Sequence, residues 1–296
     1  MLKKHFLILQ LSCILLLSFN LKAQETLHTS DSVSLLAWNM YLLPAIAPVP
    51  HRLPRALKIA EALNQSDHTI LCLQEAFHHK AVASIKKGLA TKYPYQYGPF
   101  FEAKGVFAAS SGLLICSKIP LQIIDSILYK EAIGIDAKAN KGAILMEANI
   151  AEKKFQVILT HMQSGKYNEV RRKQFEQIRS ELIDKYSKEN VPLFVCGDLN
   201  TERNNQAEYD FMLSKLQASD GEMSGAQKES YDGTTNKLAE KVWKKASTNL
   251  DYVLLKKNNA RIEIKHRQVT TYRGAWSKKN HDLSDHYGVE CVFKLN

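Results

Sequence analysis

The chain has 296 residues, 45% of them hydrophobic and 24% charged, with 13 glycines and 8 prolines. That composition excludes a disordered, collagen-like or disulfide-dense chain, and the length is ample for one large buried core. The formal charge of +10 favours anionic partners, nucleic acid or a phospholipid surface, without choosing between them.

Residues 1–23 read as an export signal. Lys3 and Lys4 precede an apolar stretch from Phe6 to Phe19, and Ala23 stands at a cleavage point. The stretch is shorter than the ~20 residues a spanning helix needs. Cys13 lies inside it and not at its end, which argues against lipid attachment. The expectation is a secreted or periplasmic protein, with residues 24–296 forming one domain. Loss of Lys3, Lys4 and Lys22 lowers the formal charge from +10 to +7. The four remaining cysteines, Cys72, Cys116, Cys196 and Cys291, sit in apolar strand-like runs, so buried free thiols are expected.

The first predicted strand covers 33–38 and ends on Asn39. The apolar segment after it, MYLLPAIAPVPH, carries Pro44, Pro48 and Pro50, which predict a stiffened loop and neither helix nor central strand. A helix follows at 55–63, then a strand at 69–73 ending on Gln74 and Glu75, and a helix at 79–89. Residues 93–101 read as an aromatic loop. Strands are expected at 112–116, 142–149 and 155–160, the last ending on His161. The apolar stripe of Val170, Phe175, Ile178, Leu182 and Ile183 predicts a helix over 169–186. Next comes LFVCGDLN. Its continuous apolar run is typical of a strand buried on both faces, and alternation along an extended chain would put Asp198 and Asn200 on one side. A helix at 207–216, a long polar segment at 217–247, a strand at 250–255 that opens near Asp251, and the stretch 261–270 complete the order. Asp285 and His286 then lead into a final strand at 288–293.

Asn39, Glu75, His161, Asp198, Asn200, Asp251, Asp285 and His286 thus all lie at or near strand ends, where separate segments of an α/β protein meet. Each alone is an ordinary turn former, cap or satisfied histidine. Together they offer hard carboxylates for a cation, amides and a histidine for phosphate oxygens, and Asp–His pairs for proton handling, which metal-assisted phosphoester hydrolysis requires.

On the motifs WNMY, LQE, GDLN, LDYVLL and SDHYGV, spread over almost the whole mature chain, the sequence resembles the endonuclease/exonuclease/phosphatase superfamily, the fold of DNase I-type nucleases. Within it, YLLP, SGLLICSKIPL, GIDAKANKG, THMQS, RRKQFEQIRS and SYDGTTNKLA are similar to segments of secreted bacterial sphingomyelinases. The resemblance implies an α/β (α+β) four-layer sandwich, two packed mixed β-sheets flanked by helices. It implies Mg2+ bound by Glu75 with Asn39 close by and Asp285 behind them, Mn2+ or Co2+ being possible substitutes. It further implies that His161 and Asn200 hold the scissile phosphate, that Asp251 orients His286, which acts as general base or helps hold a second ion, and that Asp198 positions the attacking water. The implied activity is hydrolysis of a phosphosphingolipid, by a monomer in peripheral contact with a membrane; a metal-dependent nuclease is the alternative. The match lapses in two places. His79 stands where relatives with an outer metal site carry Asn, and 107–110 holds no acid. The loop 271–283 has only Tyr272 and Trp276 where related toxins carry an aromatic hairpin. For docking on lipid, the two candidate stretches are 41–50 and the loop around Trp276, beside Lys278 and Lys279.

Overall fold

A computed structural model describes residues 32–102, 109–258, 260–278 and 280–296. The export signal expected over 1–23, and part of 107–110, lie outside the described residues. One six-stranded sheet has the order β13-β14-β1-β2-β4-β3. It is built from β1 (Val33–Leu42), β2 (Ile70–Ala76), β3 (Tyr95–Tyr97), β4 (Leu114–Ser117), β13 (Ile262–Thr270) and β14 (Gly288–Leu295). The second has the order β5-β6-β7-β8-β12-β9, from β5 (Leu121–Leu128), β6 (Gly142–Ile150), β7 (Lys153–His161), β8 (Leu193–Asp198), β9 (Ala218–Ser219) and β12 (Asp251–Lys256). Between β9 and β12, β10 (Tyr231–Asp232) and β11 (Ser247–Thr248) form a small antiparallel ribbon. Both large sheets are mixed: β1 pairs with β2, and β7 with β8, in parallel, and their other pairings are antiparallel.

The layers follow from side-chain alternation. Leu35 and Ala37 of β1 join Cys72, Leu159, Cys196 and Val253 in the core between the sheets. Their neighbours Leu36 and Trp38 face outward and pack on Ala56, Ile59 and Leu63 of helix α1 (Arg52–Gln65) and on Ala81, Val82 and Ile85 of α2 (His79–Leu89). On the far side, Ile158, Val195 and Leu254 meet Phe175 and Ile178 of α3 (Asn168–Ile178) and Met212 of α4 (Gln206–Leu216). The result is the expected four-layer sandwich, and burial on both faces is why the central strands read as unbroken apolar runs. All four described cysteines are buried free thiols.

Differences from the sequence reading have local causes. β1 runs through Met40, Tyr41 and Leu42, entering the segment read as a loop, because Pro44 and not Met40 is the first residue unable to continue a strand. The aromatic stretch at Tyr95–Tyr97 is an edge strand. β5 gave no apolar run because it too is an edge strand, and half of its residues are exposed. Asn200 lies past the end of β8 with φ 48°, so a turn and not strand alternation sets its position. Gly197 sits opposite Thr160, where a Cβ would come within 1.9 Å of the Thr160 carbonyl oxygen, so β8 reaches β7 at this level only as glycine.

Phe293 fills the centre between the sheets, 4.6 Å from the ring of Phe194 and 5.4 Å from that of Phe155. Phe293→Ala should cost about 3–5 kcal/mol of stability through the cavity it leaves. Denaturant unfolding should show a lower midpoint with an unchanged slope.

Candidate active site

The polar residues gather where the inner apolar series of both sheets runs out. Three neighbouring strands put one residue each into a single row: Asp198 of β8 stands opposite His161 of β7 on one side and Asp251 of β12 on the other. From the facing sheet, Asn39 of β1 donates its Nδ2 hydrogen to Asp198 Oδ2 at 3.0 Å. Asp285 and His286 enter immediately before β14, and the Trp38 indole donates to the His286 carbonyl at 3.0 Å. Ser284 Oγ donates to the Asn39 carbonyl at 2.6 Å and accepts the His286 N–H at 3.2 Å, tying the two strand ends together.

At the centre, His286 Nδ1 lies 2.7 Å from Asp251 Oδ2 and His286 Nε2 lies 3.9 Å from Asp198 Oδ2. His161 Nε2 approaches the same Asp198 oxygen at 3.4 Å. Asp251 Oδ2 also accepts from Ser230 Oγ at 2.7 Å, and that hydroxyl oxygen receives the N–H groups of Leu250 and Asp251. The Tyr231 ring packs edge-on against the His286 ring at 5.1 Å. Asn200 is held beside Asp198 by its own N–H, donated to Asp198 Oδ1 at 3.0 Å, and its Nδ2 donates to the Met162 carbonyl at 3.2 Å.

The electrostatics are those of a buried acidic pocket. Burial, with the neighbouring charge of Asp285, pushes the Glu75 carboxyl up to about 8. Burial also raises Asp285 and carries Asp251 to about 6 against the pull of His286. Burial alone would lower His286, but the charges of Asp251, Asp198 and Asp285 outweigh it and hold the imidazolium well above its ordinary range. His161 goes the other way: burial, helped by the Lys141 ammonium, drops it to about 3, so it is neutral at pH 7. Asp198 resists its own burial through His286, His161 and Asn39 and stays low.

This pocket suits a cation. Glu75 adopts φ 55° at the end of β2, and its buried Oε2 has no hydrogen-bond partner. Asp251 Oδ1 is likewise unpartnered. Carboxylates desolvated to this degree want a positive charge among them. Ligating atoms of Asp198, Asp251 and His286 all lie within 4.8 Å of one another, a second grouping able to hold a metal. It is not the trio named from sequence for the ion, Glu75, Asn39 and Asp285. Asn39 turns its Nδ2 toward the acids while its Oδ1 accepts the Tyr41 N–H at 3.0 Å, so as oriented here it acts as a donor to them.

All eight residues named from sequence are at this end of the sandwich, and the structure adds others. Lys141 is buried, with its Nζ 3.2 Å from His161 Nε2, 3.1 Å from Asp136 Oδ1 and 2.8 Å from the Met162 carbonyl. Ser230 and Tyr231 come from the segment read only as polar. Their signals were the stretches GIDAKANKG and SYDGTTNKLA, which the resemblance picked out without giving a role. Trp276 corrects the docking expectation. It is 8% exposed, donates its indole N–H to the Asp282 carbonyl at 2.7 Å and packs with the outer core of α1, so it belongs to the interior.

A histidine acting as general base must be neutral, so activity rises as pH climbs through its pKa. Asp251 contributes negative charge that raises the His286 pKa. Asp251→Asn should therefore shift the acidic limb of the kcat/KM profile to lower pH and reduce its plateau. A limb that stays in place in the mutant profile would break the assignment of this pair.

A family model described as "Endonuclease/Exonuclease/phosphatase family" matches residues 36–286. Sphingomyelinase C 2 of Leptospira interrogans serovar Lai is 27% identical over 287 residues; the alignment takes in 87% of this chain but 45% of the relative, so the chain spans about half its length. The crystal structure of sphingomyelinase C from Streptomyces griseocarneus is 26% identical with a TM-score of 0.77, over 90% of this chain and 100% of that one. A Staphylococcus aureus beta toxin mutant with bound magnesium ions has the same fold, at 22% identity and a TM-score of 0.77, covering 90% of this chain and 100% of the toxin. With the family match running from β1 to His286, the chain belongs to the endonuclease/exonuclease/phosphatase family.

Proposed function

We propose that this protein is an exported, Mg2+-dependent phosphoric diester hydrolase that cleaves a phosphosphingolipid of sphingomyelin type into ceramide and a phospho-headgroup. The observation that carries the reading is the buried Asp198–Asp251–His286 cluster beside the unpartnered Glu75 carboxylate, in a chain similar to sphingomyelinase C proteins over most of its length. The basic, signal-like start of the chain supports export, and residues 24–296 form the catalytic domain on this reading.

The residues divide the work by charge and reach. Glu75 and Asp285 supply hard oxygen donors suited to Mg2+, with Asn39 holding Glu75 and Asp198 in place. A divalent ion bound there would polarise a phosphoryl oxygen and stabilise charge on the leaving oxygen. His161, neutral and backed by the Lys141 ammonium, donates toward a phosphate oxygen together with the Asn200 amide. His286 removes the proton of the attacking water, with Asp251 fixing its tautomer through the 2.7 Å contact at Nδ1. Asp198 lies between the two histidines and is the natural acceptor for the second hydrogen of that water.

The basic charge of the chain would also serve a nuclease using the same centre. A hydrolysis screen of sphingomyelin, other phosphosphingolipids, glycerophospholipids and DNA, with Mg2+ and with EDTA, separates the two. Release of ceramide only in Mg2+ supports the lipid reading; cleavage of DNA with sphingomyelin untouched replaces it. Glu75→Gln keeps the side-chain shape and removes the charge. The mutant should need more Mg2+ for half-maximal activity and lose about 10²-fold or more in kcat. An unaltered Mg2+ activation curve would remove Glu75 from the metal site.

A further inference from the structure

Nine large hydrophobic side chains are exposed among the described residues, and they are not scattered evenly. Several sit on three segments tethered to the active-site end of the sandwich. Val242 and Trp243, 58% and 44% exposed, end the short helix α5 (Ala239–Val242). The Trp243 ring lies 6.0 Å from that of Tyr231, which itself rests against His286. Ile133 and Ile135 flank Gly134 at the start of the 3-10 turn Gly134–Lys138. The Ile133 backbone exchanges hydrogen bonds with the side chain of Gln163, two residues past His161, and Asp136 of the same turn pairs with Lys141. Ile46, 74% exposed, projects from the proline loop that follows β1, a loop clamped by Arg52 through the Leu43 and Pro44 carbonyls.

One exposed apolar residue needs no explanation. Three such tips stand on segments tethered to the site itself, through Tyr231 beside His286, through Gln163 past His161, and directly after the Asn39 strand. Charge narrows the partner. Val242 and Trp243 lie between Lys241 and the pair Lys244–Lys245, all exposed, while Lys138 and Lys166 are exposed beside the Ile135 turn. An indole and short aliphatic tips interleaved with lysines suit the headgroup zone of a bilayer. There the ring lies at the interface and the ammonium groups meet lipid phosphates. An apolar protein partner would leave those lysines desolvated and unpaired.

We propose that the protein docks on a phospholipid bilayer through Trp243 and Val242, with Ile135 and Ile46 as supporting tips, so that the mouth between His161 and His286 faces the lipid surface. The inference rests on the lipid reading of the site and moves the docking contact away from Trp276.

The three tryptophans make the test direct. Trp38 is 1% and Trp276 8% exposed, so only Trp243 has an indole open to a membrane. Fluorescence is followed in EDTA, which keeps binding separate from hydrolysis, with vesicles of phosphatidylcholine and sphingomyelin, alone and with phosphatidylserine, and with brominated lipid as quencher. Docking predicts a blue shift and quenching by brominated lipid, stronger with phosphatidylserine and absent in Trp243→Phe. Val242→Ser combined with Ile135→Asn should weaken vesicle co-sedimentation by roughly tenfold or more. In Mg2+, the same double variant should lower the ratio of vesicle-borne to soluble phosphodiester hydrolysis. Wild-type protein that co-sediments with vesicles without a Trp243 response overturns the proposal while leaving the lipid hydrolase intact. A Trp243 response from a protein that cleaves no lipid supports the docking face and overturns the enzymatic reading. Equal losses on vesicle and soluble substrates would make the tips structural and also overturn the docking face.

Discussion

The hydrogen bond from Asn39 Nδ2 to Asp198 Oδ2 joins the two sheets at the end where their shared apolar core stops. Below it, the inner series of β1, β2, β7, β8 and β12 is apolar or thiol, with Leu35, Ala37, Cys72, Val157, Leu159, Cys196 and Val253 among its members. At its level, the same alternation delivers Asn39, Gln74, His161, Asp198 and Asp251 to a space with low water access. A polar group placed there must find a partner or remain charged at a cost. The site is what results when several strands reach that boundary at one height, and the register that aligns Asp198 with both His161 and Asp251 sets the height.

The pocket is deliberately unbalanced. Glu75, Asp198, Asp251 and Asp285 crowd around two histidines, and atoms of Glu75 and Asp251 remain without hydrogen-bond partners. Well-packed interiors rarely tolerate that, so the deficit reads as space prepared for positive charge. The two histidines are held in opposite states by their surroundings. His286 faces three carboxylates that outweigh its burial and keeps its proton readily, while burial, with Lys141 beside it, makes His161 shed its own. Environments that push two imidazoles apart give one site a strongly basic imidazole and a neutral hydrogen-bonding one.

Support for these states comes from segments with little regular structure. Ser230 satisfies Asp251 and two backbone N–H groups at once, and Asn236 donates to the Ser284 carbonyl just ahead of Asp285. Arg55, fully buried on α1, donates to the carbonyls of Met40 and Leu283, linking the β1 exit to the approach of β14. Irregular chain near the site is therefore hydrogen-bonded to the strand ends that carry the polar residues. The apolar tips on neighbouring segments are left over from this network, since their side chains have no part in it.

Much of this was legible in the residues. Unbroken apolar runs marked the central strands because both faces are covered, and those of β1, β2, β7 and β8 give way to Asn39, Glu75, His161 and Asp198 at one end of the sandwich. The motifs around Asn39, Glu75, Asp198 and His286 were equally readable, since catalytic residue types at strand ends are local information. Edge strands such as β5 were not, for half their side chains meet water and leave no pattern. The roles of Lys141 and Ser230 depend on partners 20 or more residues away, and no local spacing encodes those. Trp276 is the clearest case: its sequence neighbours are polar and basic, yet packing against α1 buries it, while Trp243, in an equally basic stretch, is left outside. Sequence by itself determined which residues were chemically able to act and where strands would end. Tertiary structure alone decided which indole meets solvent and which imidazole keeps its proton, because both depend on the atoms that the fold brings around them.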